Sequence, residues 1–142
     1  MMTKVIGYTT GVFDLFHIGH LNILKKAKEN CDYLIVGVTT DEEVERVKNK
    51  VPIIPYQERA EIVEAIRYVD KIVPEEDTDK LKAAENITFN RIFKGDDWKG
   101  TEKWNTYEEE FHKRDIDVMY FSYTKGTSST HLRNVLDNLL SN

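Results

Sequence analysis

Two histidines three positions apart, His17 and His20, enclose Ile18 and Gly19 in the stretch His17-Ile18-Gly19-His20. An apolar, strand-like run precedes them, and after them Leu21, Leu24, Ala27 and Lys28 recur at helical spacing. Both imidazoles therefore stand at a helix entrance, where the first backbone N–H groups lack partners within the helix and the dipole is positive. Such an entrance attracts phosphate. An imidazole donates a hydrogen bond to a phosphoryl oxygen without the cost of desolvating a lysine. Gly19 has no Cβ, so a polyphosphate approaches the main chain closely there.

Three further stretches suit the same ligand. Lys48 and Lys50 lie in a basic segment that runs into Pro52 and Pro55, a stiff loop before a helix; each lysine alone reads first as an ordinary surface cation. Lys94-Gly95-Asp96-Asp97-Trp98-Lys99-Gly100 is a tight turn. A carboxylate at Asp97 suits a sugar hydroxyl or ring amine, and Trp98 suits either a ligand or a packing anchor. Tyr123-Thr124-Lys125-Gly126-Thr127-Ser128-Ser129-Thr130 precedes the last helical pattern. One hydroxyl is enough to cap a helix. Three in succession at Ser128, Ser129 and Thr130 favour phosphate oxygens as additional partners.

The elements that must position these groups alternate. Strand-like runs recur at Val5–Tyr8, Tyr33–Val38, Lys71–Val73, Arg91–Lys94 and Asp117–Phe121. Helical patterns lie at Leu21–Lys28, Gln57–Tyr68, Asp79–Glu85, Glu102–Lys113 and His131–Leu140. In Glu102–Lys113, Trp104, Tyr107 and Phe111 mark a core-facing side and Glu108–Glu110 a solvated one. Strand alternating with helix over short connections predicts one α/β, Rossmann-like domain over residues 1–142: a five-stranded parallel sheet with helices on both faces. Ligands of such sheets sit beyond the carboxyl ends of the strands, at the switch point. The histidine, Gly95–Gly100 and Thr124–Thr130 motifs each follow a strand, so they converge there.

Composition bounds the partners. Of 142 residues, 32% are charged and 40% apolar, a globular balance. Net charge is −5, which speaks against a nucleic-acid partner but not against a small phosphate held by local cations. The apolar runs are strand-sized, so membrane insertion is not expected. The first residues carry no signal-peptide pattern, and the single cysteine, Cys31, cannot form an internal disulfide. A reducing cytoplasm is the expected location. No cluster has metal-ligand spacing, and no protein metal ligand is assigned.

These motifs resemble a known family. H-x-G-H after a first strand is the signature of the nucleotidyltransferase superfamily, shared with class I aminoacyl-tRNA synthetases. The longer GVFDLFHIGH resembles its cytidylyltransferase branch, and G-D-D-W-x-G resembles the glycerol-3-phosphate cytidylyltransferases. The span PYQERAEIVEAIRYVDKIVPE is similar to the family's segment in the same place, including Arg59, Arg67 and Asp70. Arg67 and Asp70 read as structural or interface residues. The last loop resembles the family's R-T-E-G-I-S-T-T but departs from it: Tyr123 replaces the arginine and Lys125 the glutamate. A bidentate phosphate clamp is lost, and Lys125 returns the charge without the fork.

The resemblance implies transfer of CMP from CTP to a phospho-alcohol, foremost glycerol 3-phosphate, with release of pyrophosphate. It implies catalysis by His17, His20, Lys48 and Lys50. Nucleotide binding falls to Val12, Phe13, Asp14, Gly19, His20, Asp97, Trp98, Tyr123, Thr124, Lys125, Gly126, Ser128, Ser129 and Thr130, and acceptor binding to Lys48, Arg59 and Lys82. Mg²⁺ accompanies the triphosphate, with Asp14 either aiding it or serving as a turn carboxylate, and a homodimer is expected. Phosphocholine, phosphoethanolamine or a sugar phosphate as acceptor, adenylyl transfer to a nucleotide or flavin on the same fold, and a catalytically weak nucleotide-binding module stay open as alternatives. The chain is too short for an aminoacyl-tRNA synthetase.

Overall fold

The computed structural model describes residues 4–122 and 128–140. Five strands and six helices are laid out in the order β1 (Ile6–Gly11), α1 (Ile18–Glu29), β2 (Tyr33–Thr39), α2 (Asp41–Lys48), α3 (Tyr56–Glu64), β3 (Lys71–Glu75), α4 (Lys80–Asn86), β4 (Arg91–Gly95), α5 (Glu102–Lys113), β5 (Asp117–Phe121) and α6 (Ser129–Leu140). The strands form one parallel sheet in the spatial order β3-β2-β1-β4-β5. The expected architecture is therefore the observed one. β1 is central, and the order reverses between β1 and β4, which opens a crevice beyond their carboxyl ends.

The alternation of side chains along each strand builds two cores. Leu34, Val36 and Val38 of β2 point to one face and join Leu24 and Ala27 of α1, Ala60 and Val63 of α3, and Phe93 of β4. Ile35 points to the other face and joins Tyr8, Ile92, Phe89 and the Trp104–Tyr107–Phe111 stripe of α5. That stripe is buried as its helical spacing predicts. Gly7 in β1 marks a close approach: a Cβ there would lie 2.6 Å from the Phe93 ring and 2.9 Å from Cys31 Sγ. Among the described residues no helix is long and apolar enough to cross a membrane.

Several element ends shift by one to three residues, and two helices differ more from the sequence reading. Asp41–Lys48 is a helix that the apolar pattern does not reveal, because it holds only Val44 and Val47 among six charged residues. It is defined by its ends instead. Thr40 Oγ1 accepts the Glu43 N–H, acids fill the first turn and bases the last, and Asn49 closes it in the left-handed region. The helix expected over Gln57–Tyr68 stops at Glu64, where Ala65 N–H is shared between the Glu61 and Ile62 carbonyls in a tightened last turn.

Candidate active site

The loop from β1 to α1 is shaped by two non-glycine residues in the left-handed region, Phe13 (φ 55°) and Leu15 (φ 52°). Such backbone costs free energy and persists only where the surroundings hold it. Here Phe13 is buried in the first core, and Asp14 is anchored by its carboxylate, which accepts the Ile53 and Ile54 N–H groups at 2.8 and 2.9 Å. Arg133 of α6 reaches the same carboxylate at 3.3 Å and the Val51 carbonyl at 2.7 Å. Asp14 thus ties the histidine loop, the 50–55 loop and α6 together. Both of its oxygens are hydrogen-bonded, as a turn carboxylate's are.

His17 is the N-cap of α1, and with His20 it forms a reciprocal capping box. His17 Nδ1 accepts the Gly19 N–H at 3.0 Å, and His20 Nδ1 accepts the His17 N–H at 3.2 Å. Both Nδ1 atoms are therefore acceptors, which fixes both neutral rings as Nε2–H tautomers. Burial pushes the His20 pKa down from 6.5 to about 4, with a smaller push from His17 that Asp14 opposes. Burial lowers His17 as well. The rings lie 3.9 Å apart, centroid to centroid. Each neutral imidazole thus carries its one N–H at Nε2. The Gly19 N–H itself is bonded to His17 Nδ1.

His20 Nε2 lies 3.4 Å from Ser129 Oγ, and that hydroxyl donates to the Asp14 carbonyl at 2.6 Å. This joins the entrance of α6 to the entrance of α1. Ser128 caps α6 by accepting the His131 N–H at 3.0 Å. Tyr123, Thr124, Lys125 and Gly126 lie outside the described residues.

A cleft of about 400 Å³ opens over the switch point. Val12, Phe13, Asp14, His20, Lys48, Lys50, Trp98, Ser129 and Thr130 all line it, so residues far apart in sequence meet there. Partial burial lowers the Lys48 pKa, and Lys50 lowers it further. Asp97 is exposed and outside the lining.

Two expected acceptor ligands sit elsewhere. Arg59 is 1% exposed, and its guanidinium is spent on the frame. It donates to the carbonyls of Ile54, Val12 and Thr39 at 2.8, 2.6 and 2.8 Å and pairs with Asp41 at 2.6 Å. Arg59 therefore orients the loops and has no face for substrate. Lys82 is exposed on α4, pairs with Asp77 at 3.0 Å and does not line the cleft. Asp70 is structural, accepting the Leu34 N–H at 2.8 Å, and Arg67 stacks on Tyr68.

The cleft also holds groups that the motifs did not announce. Glu75 is buried, bonded to Lys80 Nζ at 2.6 Å and to Thr39 Oγ1 at 2.7 Å. Lys94, Lys103 and Arg133 line the same cavity. Lys94 is the residue before Gly95-Asp96-Asp97-Trp98, and only that adjacency could have flagged it. Among the described residues, no three His, Cys, Asp or Glu side chains converge as a metal site.

Residues 8–135 match the cytidylyltransferase-like family. The chain belongs to that family. It is 36% identical to the glycerol-3-phosphate cytidylyltransferase of Staphylococcus aureus over 95% of this chain and 96% of that protein. A 63-residue stretch is 54% identical to the FAD synthase of Pyrococcus abyssi, covering 44% of this chain and 43% of that one. Among solved structures, the lipopolysaccharide core biosynthesis protein of Thermoplasma volcanium superimposes with a TM-score of 0.72 at 27% identity, over 86% of this chain and all of that one. Membership of the family agrees with the tautomer-fixed histidines and the cation-lined cleft.

Proposed function

We propose that the protein transfers the CMP group of CTP to glycerol 3-phosphate, giving CDP-glycerol and pyrophosphate. The observation that carries this is the near-full-length likeness to a glycerol-3-phosphate cytidylyltransferase, in a chain whose histidines, Lys48 and Lys50 line or adjoin one cleft. An acceptor phosphate oxygen attacks the α-phosphorus in line, and the bond to the bridging oxygen of pyrophosphate breaks. No protein nucleophile is needed. The chain contributes positioning and preorganised charge. The Nε2–H groups of His17 and His20 donate to the phosphoryl oxygens where charge grows. Lys48 and Lys50 hold the two anions against their mutual repulsion, and Ser129 and Thr130 at the entrance of α6 face the triphosphate. Mg²⁺ bound to the triphosphate would neutralise part of its charge; no protein carboxylate is assigned to it.

The 63-residue likeness to an FAD synthase supports a second reading, adenylyl transfer from ATP to a flavin nucleotide. Pyrophosphate release over a matrix of CTP and ATP against glycerol 3-phosphate and FMN separates the two. Release only with CTP and glycerol 3-phosphate is expected; release with ATP and FMN alone would replace the first reading by the second. The enzyme is further proposed to act in the cytoplasm as a homodimer. Val135, Leu136 and Leu139 of α6 are exposed apolar residues available to a second copy, which sedimentation of the intact chain tests.

A further inference from the structure

Lys94 is the second-last residue of β4 and, by alternation, shares a face with Ile92 in the second core. An ammonium at such a position needs a partner. Its Nζ lies 4.9 Å from the centroid of Trp98 and 5.7 Å from that of Trp104. Trp98 is 39% exposed and Trp104 is 2% exposed, so the cation bridges an outer and an inner indole. Indole faces are the strongest aromatic attractors of cations, including quaternary ammonium ligands. Among the described residues no carboxylate forms an ion pair with Lys94. Burial lowers its pKa from 10.5 to about 8, and Lys80 and Lys48 push the same way against Glu75 and Asp97. Glu75 is already bonded to Lys80 and Thr39.

We propose that Lys94 determines which acceptor the cleft takes. Its ammonium fills the space between two indole faces where a cationic alcohol headgroup would sit, so the cleft takes acceptors whose alcohol part is uncharged or anionic and excludes choline- and ethanolamine-type headgroups. This rests on the reading of the cleft as a cytidylyl-acceptor site. A second cation would meet occupied rings and the ammonium groups of Lys48, Lys80 and Lys94 around one cavity, so discrimination comes from repulsion as much as from attraction. The N–H groups of Lys94 that face the cleft are matched instead by a hydroxyl or an anionic oxygen.

Trp98 and Trp104 are the chain's only tryptophans, so intrinsic emission reports on this subsite whether or not turnover occurs. The wild type, Lys94→Met, Lys94→Gln and the charge-keeping Lys94→Arg are titrated with tetramethylammonium. They are then assayed for pyrophosphate release with glycerol 3-phosphate and with phosphocholine. Saturable quenching by tetramethylammonium is expected in Lys94→Met and Lys94→Gln but not in the wild type or Lys94→Arg. The ratio of kcat/KM for glycerol 3-phosphate to that for phosphocholine falls about tenfold in the two uncharged variants. Equal tetramethylammonium binding by the wild type and a folded uncharged variant, or an unchanged ratio, overturns the proposal. If neither acceptor supports release, the acceptor assignment fails by itself, and the tetramethylammonium titration still decides what Lys94 does.

Discussion

The cleft has two ends built from opposite materials. At the histidine end the polar groups are bonded to the main chain or to one another: His17 and His20 cap α1, Asp14 holds two amides, and Arg59 holds three carbonyls. At the lysine end, Lys48, Lys50, Lys94 and Lys103 line the cavity without an ion pair among the described residues. The first end is finished before a ligand arrives. The second carries charge that an anionic ligand would complete. Substitutions at the first should therefore disturb geometry and rate together, while those at the second should act mainly on affinity.

The sharpest way to break this contrast is Arg59→Ala. Removing a buried cation strips Asp41 of its ion pair, leaving it the Tyr56 N–H alone, and takes a donor from the carbonyls of Val12, Thr39 and Ile54, a loss of about 3–5 kcal/mol in unfolding free energy. Denaturant melts measure it; a variant as stable as the wild type would show Arg59 to be free for substrate after all.

His20→Ala should reduce kcat about 100- to 1,000-fold, or roughly 3–4 kcal/mol of transition-state stabilisation. The loss of half of the capping box should cost only about 1 kcal/mol of stability. His17→Asn refines the point, because asparagine keeps an N-cap acceptor and gives up the Nε2–H. Near-normal melting with a rate as low as that of His17→Ala is expected. Recovery of rate by asparagine would mean that His17 serves the helix alone.

Lys48→Ala tests the other end. The expected result is a drop in kcat/KM of about ten- to a hundredfold, carried mostly by KM and steepened by added salt, with an unchanged melting midpoint. A pure kcat effect would move Lys48 into the company of the histidines.

The last expected effect is on pH. The folded-state pKa of His20 is depressed from 6.5 to about 4. Below about pH 6.5 the unfolded chain binds a proton that the folded chain refuses until about pH 4. Stability is therefore full above the upper value and declines as pH falls through that window. Comparing the melting midpoints of wild type and His20→Ala across the window isolates this slope; parallel curves would remove His20 as its source.

How much of this was legible in the sequence follows from what each signal encodes. Strand-helix alternation announced the sheet, and the placement of three motifs after strands announced the cleft. Arg59 was misread because a residue type gives its charge, while its partners are carbonyls of residues 12, 39 and 54 that only the fold brings together. Helix α2 escaped because Val44 and Val47 are too few to show a period. Lys94 escaped because its meaning depends on Trp104, ten positions on and across a turn.

The position of β1 at the middle of the sheet has a consequence for synthesis on the ribosome. The first strand made is the one that needs two neighbours. β2 supplies one soon, but Gly7 pairs with Arg91 and Tyr8 with Ile92. Until β4 emerges, one edge of β1 faces solvent with unpaired amides and carbonyls, as does the apolar face that α5 later covers. For that interval the nascent chain is an open-edged parallel ribbon, the form most exposed to pairing with a neighbouring chain. The histidine loop leads out of this same strand, so the histidines can be synthesised early yet cannot be fixed in place until the second half of the chain has closed the sheet around them.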